Sequence, residues 1–433
     1  MRNDAILLIS LALLTGILVL LTLFNSNDEY NKSIISRTED NNNLKGNIEF
    51  MCNKNNGKSK EMDKISSKFT KKYENSEVTI NQIDDYNSAM KIRMNSNDLP
   101  DIWIVENGIY LDRAIEKYCV NLTKNLPEIS KKFEKNCAIK SSSNDIYAIP
   151  IGLTTYMMIY NKKIFSNLKL ETPSTYSELL QICKKIKKEE IIPFGSVAGE
   201  SLYLEYLFSI LPKLITNDSE ALNKIINDKN PLNSESSVYK SYAIFKYFND
   251  HEFIETNPLE SEFKKTISDF KSGKIAMMYL NSTYLPDIIN NDFGEKEMGV
   301  FLFPYSEEKD KFNVLYEPFM NLAISKNTKN LDLSKKWLEY FLDESYHENI
   351  NSIGIESTRD KIFNSSFYFK DIKKTKAKTI PHITNSDELK DFLISVNFSK
   401  EKIISEIIDG NSLKNIFWEY NEKWNELNKT IND

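Results

Sequence analysis

Histidine is almost missing from this chain: there are three in 433 residues, and His251, His347 and His382 stand far apart. The cysteines are also few, and Cys52, Cys119, Cys137 and Cys183 are spaced too widely for a zinc knuckle. Both scarcities argue against a structural metal, and no cofactor is expected. The sequence contains no nucleophile elbow, no Gly-rich phosphate loop and no His-Glu zinc-helix motif, so nothing in it points to an enzyme. Its 62 acidic residues leave room for a glycosidase-type carboxylate pair, but none is marked. Positive charge is not in excess, with 56 Lys and Arg and a net charge of -6. The lack of a basic stripe with interleaved aromatics excludes a nucleic-acid surface. Lys184 to Lys188 alternates with apolar positions and reads as the solvated face of a helix. Indoles are limited to Trp103, Trp337, Trp418 and Trp424, two of them on helical core stripes.

What is present is ordinary globular material, 41% hydrophobic and 27% charged, long enough for more than one domain. Ala5 to Phe24 carries no charge. As a helix of about 20 residues it would cross the ~30 Å hydrocarbon core. Arg2 precedes it and Asp28 and Glu29 follow, so the positive-inside tendency puts everything after Asn25 outside the cell. A cleaved signal peptide is the competing reading, but Leu21 to Ser26 is a poor cleavage pattern. Residues 1–24 are therefore expected to be an uncleaved transmembrane anchor and 25–46 a polar spacer.

Beyond the spacer, strand and helix patterns alternate. Ile48 to Cys52, Val78 to Ile83 and Ile102 to Val105 read as strands. Met62, Ile65, Phe69 and Tyr73 form a helical stripe, and Tyr86 to Met94 is helical. Such alternation implies βαβ units and a largely parallel sheet. Leu202 to Phe253 and the stripe Leu413, Ile416, Phe417, Tyr420, Trp424 are helix-rich. Thr175 and Glu178 form a capping box. Cys183 lies on that helix's apolar face and reads as a buried thiol. Cys119 and Cys137 flank one helical connection and are the first pair to test for a disulfide.

Several segments, in order, resemble one family. Gly273-Lys274-Ile275-Ala276-Met277-Met278, entered from Phe263, Ile267 and Phe270 and running on to Pro286, is similar to a motif of extracellular solute-binding proteins, the ligand-capturing subunits of ABC importers. Asp98-Leu99-Pro100-Asp101-Ile102-Trp103 resembles that family's Asp-Leu-Pro-Asp turn. Tyr147 to Pro150 with Tyr160-Asn161-Lys162, Thr175 to Leu179, and Leu322 to Asn327 with Trp337, Leu338, Phe341 and Leu342 complete the likeness. Members in Gram-positive bacteria are commonly lipid-anchored through a Cys just after the apolar run. Here the first is Cys52, a departure that favours the uncleaved anchor.

The resemblance implies an α/β, two-lobed periplasmic-binding-protein-like fold of type II, following the transmembrane helix. Lobe 1 would comprise 47–155 plus 281–325, and lobe 2 156–280 plus 326–433. It implies capture of a small solute, with a sugar or oligosaccharide favoured, by hinge closure, and delivery to ABC permease subunits. The protein would be a monomer and not an enzyme. By position in the family, Met51, Cys52, Glu106, Asn107, Tyr156, Glu200, Tyr203, Tyr284 and Phe319 would line the ligand site. The family's Gly-Ser-Trp is replaced by Asn281-Ser282-Thr283, so either the adjacent Tyr284 takes the place of the stacking ring or the site suits a different ligand. The alternative is a membrane-tethered sensor or surface interaction protein on the same fold. With only Met1 to Asp4 ahead of the apolar run, such a sensor would need a signalling partner.

Overall fold

A computed structural model of the chain describes residues 44–54, 59–105, 115–133, 138–141, 143–199, 204–290, 292–342, 367–380, 383 and 385–432. The expected anchor lies outside them, and among the described residues no helix is long and apolar enough to cross a membrane. The chain divides into two compact units. One runs through Trp103 and takes in Ile324–Phe341; the other comprises Ile104–Ala323 and the residues from Leu342 onward.

In the first unit, strand β1 (Gly46–Asn53) runs parallel to β2 (Ser76–Ile83) and to β3 (Ile102–Val105). The helix Ser59–Lys72 connects β1 to β2 and buries Met62, Ile65 and Phe69, as their spacing predicts. Phe50 of β1 packs at 5.0 Å from Trp337, which stacks on Phe341 at 4.7 Å. The turn before β3 is fastened by Asp101. Its carboxylate accepts from the Glu49 amide at 2.9 Å and from the Thr328 hydroxyl, while its carbonyl accepts from the Ser325 amide at 2.9 Å.

The second unit contains β4 (Ile139–Lys140), β5 (Ile146–Asn161), β6 (Ile192–Gly195), β7 (Ile275–Asn281), β8 (Met298–Phe301), β9 (Asn313–Ile324) and β10 (Lys378–Ile380). Strand β5 changes partners midway. Ile149 to Thr155 pairs antiparallel with β9, and Tyr156 to Tyr160 pairs antiparallel with β7. The compact units divide at Trp103, Ala323 and Phe341.

Both faces of β7 are buried. Met277 and Tyr279 face a core with Tyr242, Phe245, Phe392 and Phe417 from the flanking helices, and Met278 and Leu280 face a second core with Phe270 and Phe369. This explains why the run reads as continuous rather than alternating. The helix before it, Phe263–Ser272, ends at Gly273 with φ +84°, a left-handed cap that glycine adopts without strain. At the helix Tyr176–Lys188 the Thr175 hydroxyl accepts from the Glu178 amide at 3.2 Å. The Glu178 carboxylate accepts from the Ser174 amide at 2.7 Å, one residue earlier than in a standard capping box.

Cys119, one of the pair singled out for a disulfide test, is not bridged in the structure. Cys119 and Cys183 are free, buried thiols, and burial raises the pKa of both; Cys52 is buried in β1. A thiol packed among apolar side chains beside Val120 and Leu122 acts as a small hydrophobe. Cys137 lies outside the described residues.

Candidate ligand site

Strand pairing places Tyr156 opposite Asn281 and Met158 opposite Tyr279, so the period-two alternation puts Tyr156, Tyr279 and Asn281 on one face. Opposite them a single π-helical turn, Tyr206–Ile210, presents Tyr206. Such turns insert an extra residue into a helix and are frequent at functional sites. The three rings form a stack. Tyr206 and Tyr279 are 3.7 Å apart between centroids, and Tyr156 is 5.9 Å from each, tilted 26° and 9° respectively.

A cavity of about 310 Å³ opens beside this stack, bordered also by Val197, the helix start Glu262 to Lys264, Leu280 and Tyr284. Phe263 meets the Tyr284 ring edge-on at 4.9 Å. Asn281 is held at the strand end, its side-chain oxygen accepting from the Thr283 amide at 3.0 Å and hydroxyl at 2.9 Å. Glu262 and Lys264 are exposed at the rim. Aromatic faces with a few polar groups at the margin suit a ligand that has both C–H faces and hydroxyls.

Behind the stack lies a charged cluster. Burial raises Tyr156 well above its ordinary value, with Glu317 adding to the shift. Glu317, on β9, is pushed up to about 7 by burial; Lys213 and a bond from the Tyr156 hydroxyl oppose this, and Glu205 reinforces it. The buried ammonium of Lys213 donates to the Ile383 carbonyl at 2.7 Å.

Of the nine residues named from the sequence, the structure brings Tyr156 and Tyr284 together around one cavity. Phe319 is half-buried on β9, opposite Gly152, and is not among the residues lining that cavity. Met51 and Cys52 are buried in β1 of the first unit, where the Arg93 guanidinium lies 3.5 Å from the Met51 sulfur. Glu106, Asn107, Glu200 and Tyr203 lie outside the described residues. As lining residues, sequence reasoning missed Val197, Tyr206, Glu262, Phe263, Lys264, Tyr279, Leu280 and Asn281. For Tyr279 and Phe263 the signal was available, since both belong to the motif around Gly273.

Residues 54–348 match the family described as bacterial extracellular solute-binding protein. The chain belongs to that family. The solute-binding protein is 23% identical over 292 residues to the multiple sugar-binding protein of Streptococcus mutans, covering 65% of this chain and 68% of the relative. It is 24% identical over 242 residues to the melibiose/raffinose/stachyose-binding protein MelE of Bacillus subtilis, covering 52% and 53%. Among solved structures it resembles a manno-oligosaccharide-specific solute-binding protein, BlMnBP2 of Bifidobacterium animalis subsp. lactis in complex with mannotriose. That likeness has a TM-score of 0.69 at 17% identity and covers 89% of this chain and 95% of the other. The fold is thus the two-lobed α/β type II binding-protein fold. The family consists of binding subunits of ABC importers and not of enzymes.

Proposed function

We propose that this solute-binding protein captures a sugar or oligosaccharide outside the cell and delivers it to an ABC permease. The observation that carries the reading is the cavity bordered by the Tyr156, Tyr206 and Tyr279 rings with Asn281, Glu262 and Lys264 at hand. Tyrosine faces pack against the C–H face of a pyranose while the polar groups take its hydroxyls. The relatives named for sugars and the mannotriose complex support the same class.

Further ligand contacts are assigned to Met51, Cys52, Glu106, Asn107, Glu200, Tyr203 and Phe319 by their family positions alone. The chain acts as a monomer. It flexes where β5 exchanges β9 for β7, between Thr155 and Tyr156, so the lobe boundaries read from the sequence mark the hinge. Closure is driven by the ligand's greater affinity for the closed state.

Calorimetry with raffinose and mannotriose tests this. One of them should bind, and Tyr206→Ala and Tyr284→Ala should each weaken it by roughly 1 to 3 kcal/mol with the fold intact. Absence of heat with both sugars overturns the proposed ligand class. Release of reducing ends on incubation would instead mark a hydrolase.

A further inference from the structure

Val197, on the cavity wall, adopts φ +50°, a left-handed conformation that β-branched residues rarely enter. It is held there from outside the cavity by one side chain. The Glu255 carboxylate accepts from the Ser196 amide at 2.8 and 3.2 Å to its two oxygens, from the Ser196 hydroxyl at 2.8 Å, and from the Val197 amide at 3.1 Å. The Ser196 hydroxyl in turn accepts from the Ala198 amide at 3.3 Å. Two residues before Glu255, the Phe253 carbonyl accepts from the Phe194 amide at 2.9 Å, which fixes the register of the two segments.

The same loop is pressed onto the segment that forms another part of the wall. At Gly199 an added Cβ would lie 2.5 Å from the Ser261 carbonyl oxygen and 2.8 Å from that of Leu259, so only glycine allows this approach. The Gly199 amide donates to the Ser261 hydroxyl at 3.2 Å, which donates to the Pro258 carbonyl at 2.6 Å. Glu262, Phe263 and Lys264, all bordering the cavity, follow directly.

We propose that Glu255, which does not border the cavity, is a positioning residue for solute recognition. It grips consecutive amides of the 196–198 loop, keeps Val197 in its strained conformation, and through Gly199 sets the place of the 262–264 wall. Strained backbone persists only where its surroundings over-determine it, and here one carboxylate supplies most of that constraint. The inference rests on the cavity being the solute site, so its test includes a measurement that needs no ligand.

The test uses hydrogen exchange of peptides spanning 192–199 and 259–266 in the full chain, comparing wild type with Glu255→Ala, Glu255→Gln and Glu255→Ala combined with Val197→Asn. The Ala variant should exchange about tenfold or more faster in both peptides while still melting cooperatively, as expected for local opening. The Gln variant should recover part of the protection, since its amide oxygen still accepts. The double variant should also recover part, because asparagine tolerates the left-handed region. Affinity for whichever of raffinose and mannotriose binds wild type should fall about tenfold in the Ala variant, the factor for ~1.4 kcal/mol, and less in the Gln variant.

Unchanged exchange in the Ala variant overturns the proposal, as does faster exchange with unchanged affinity. If wild type binds neither sugar, the proposed ligand class fails, and the exchange result alone decides whether Glu255 holds the wall. If the Ala variant does not fold, the Gln variant gives the same two readouts.

Discussion

Glu317 pairs with Thr154 of β5, the pair before the last one of the β9 pairing. Burial pushes its carboxyl up to about 7, against an ordinary value of 4.5. The folded state therefore holds this proton more tightly than the unfolded chain does. The carboxyl's contribution to stability is complete below about pH 4.5 and is lost as the pH rises through 7, an effect on the order of 3 kcal/mol. The groups facing it are Lys213, Glu205 and the Tyr156 hydroxyl. Burial lowers the Lys213 ammonium, with Glu317, Glu220 and Glu205 acting the other way. Glu317→Gln removes the titration but also withdraws an anion from Lys213, so the informative quantity is a slope. Thermal melts between pH 5 and 8 should show the variant gaining on wild type as pH rises. A difference that stays flat over that range rules out the assignment. None of this cluster is legible in the sequence. Glu205 and Lys213 lie on the one helical run that contains the π turn, but Glu317 is on β9, far along the chain, and only the fold brings it within reach of them. Tyr206 was missed for a related reason, because the π turn that aims it at Tyr279 leaves no mark in an apolar helical stretch.

At the scale of elements, the sequence was read best where a motif has a local physical cause. Gly273 at a left-handed helix end, Thr175 as an N-cap and the apolar run Ile275 to Leu280 of β7 each follow from nearby residues. The Asp98 to Asp101 turn shows how far that legibility extends. Pro100 and the strand after it were readable; that Asp101 would tie β1 to the turn at Ser325 was not, because its partners lie 52 and 227 positions away. Asp101→Ala would strand the Glu49 amide and the Thr328 hydroxyl. A fully buried polar group left unsatisfied costs about 1 to 3 kcal/mol; both groups here are half-buried, so the variant should be destabilised by roughly 1 to 2 kcal/mol. Urea unfolding measures it, and a midpoint unchanged from wild type would show the ties are dispensable.

For the molecule as a whole, the open matter is how the folded part is kept at the cell. Cys52 is the first cysteine in the chain, and it is buried in β1, paired in register with Gln82 of β2. A lipid attached there, as the N-terminal residue of a processed chain, would require cutting away Gly46 to Met51. Those residues supply Ile48 and Phe50 to the core and the pairing of β1 with both neighbours. Burying two such side chains stabilises by about 3 to 6 kcal/mol, so that route of anchoring is incompatible with the first unit. The charge-free segment Ala5 to Phe24, with Arg2 before it and Asp28 and Glu29 after, is the candidate tether that the sequence offers instead. We propose that the mature protein is a single-pass membrane protein that keeps residues 1–24. Carbonate-washed membranes should retain it, and the N-terminal peptide recovered from them should begin at Met1 or Arg2. A mature N-terminus at or beyond Asn25, or release of the protein into the wash, would show that the segment is removed and that the binding protein is held by its permease alone.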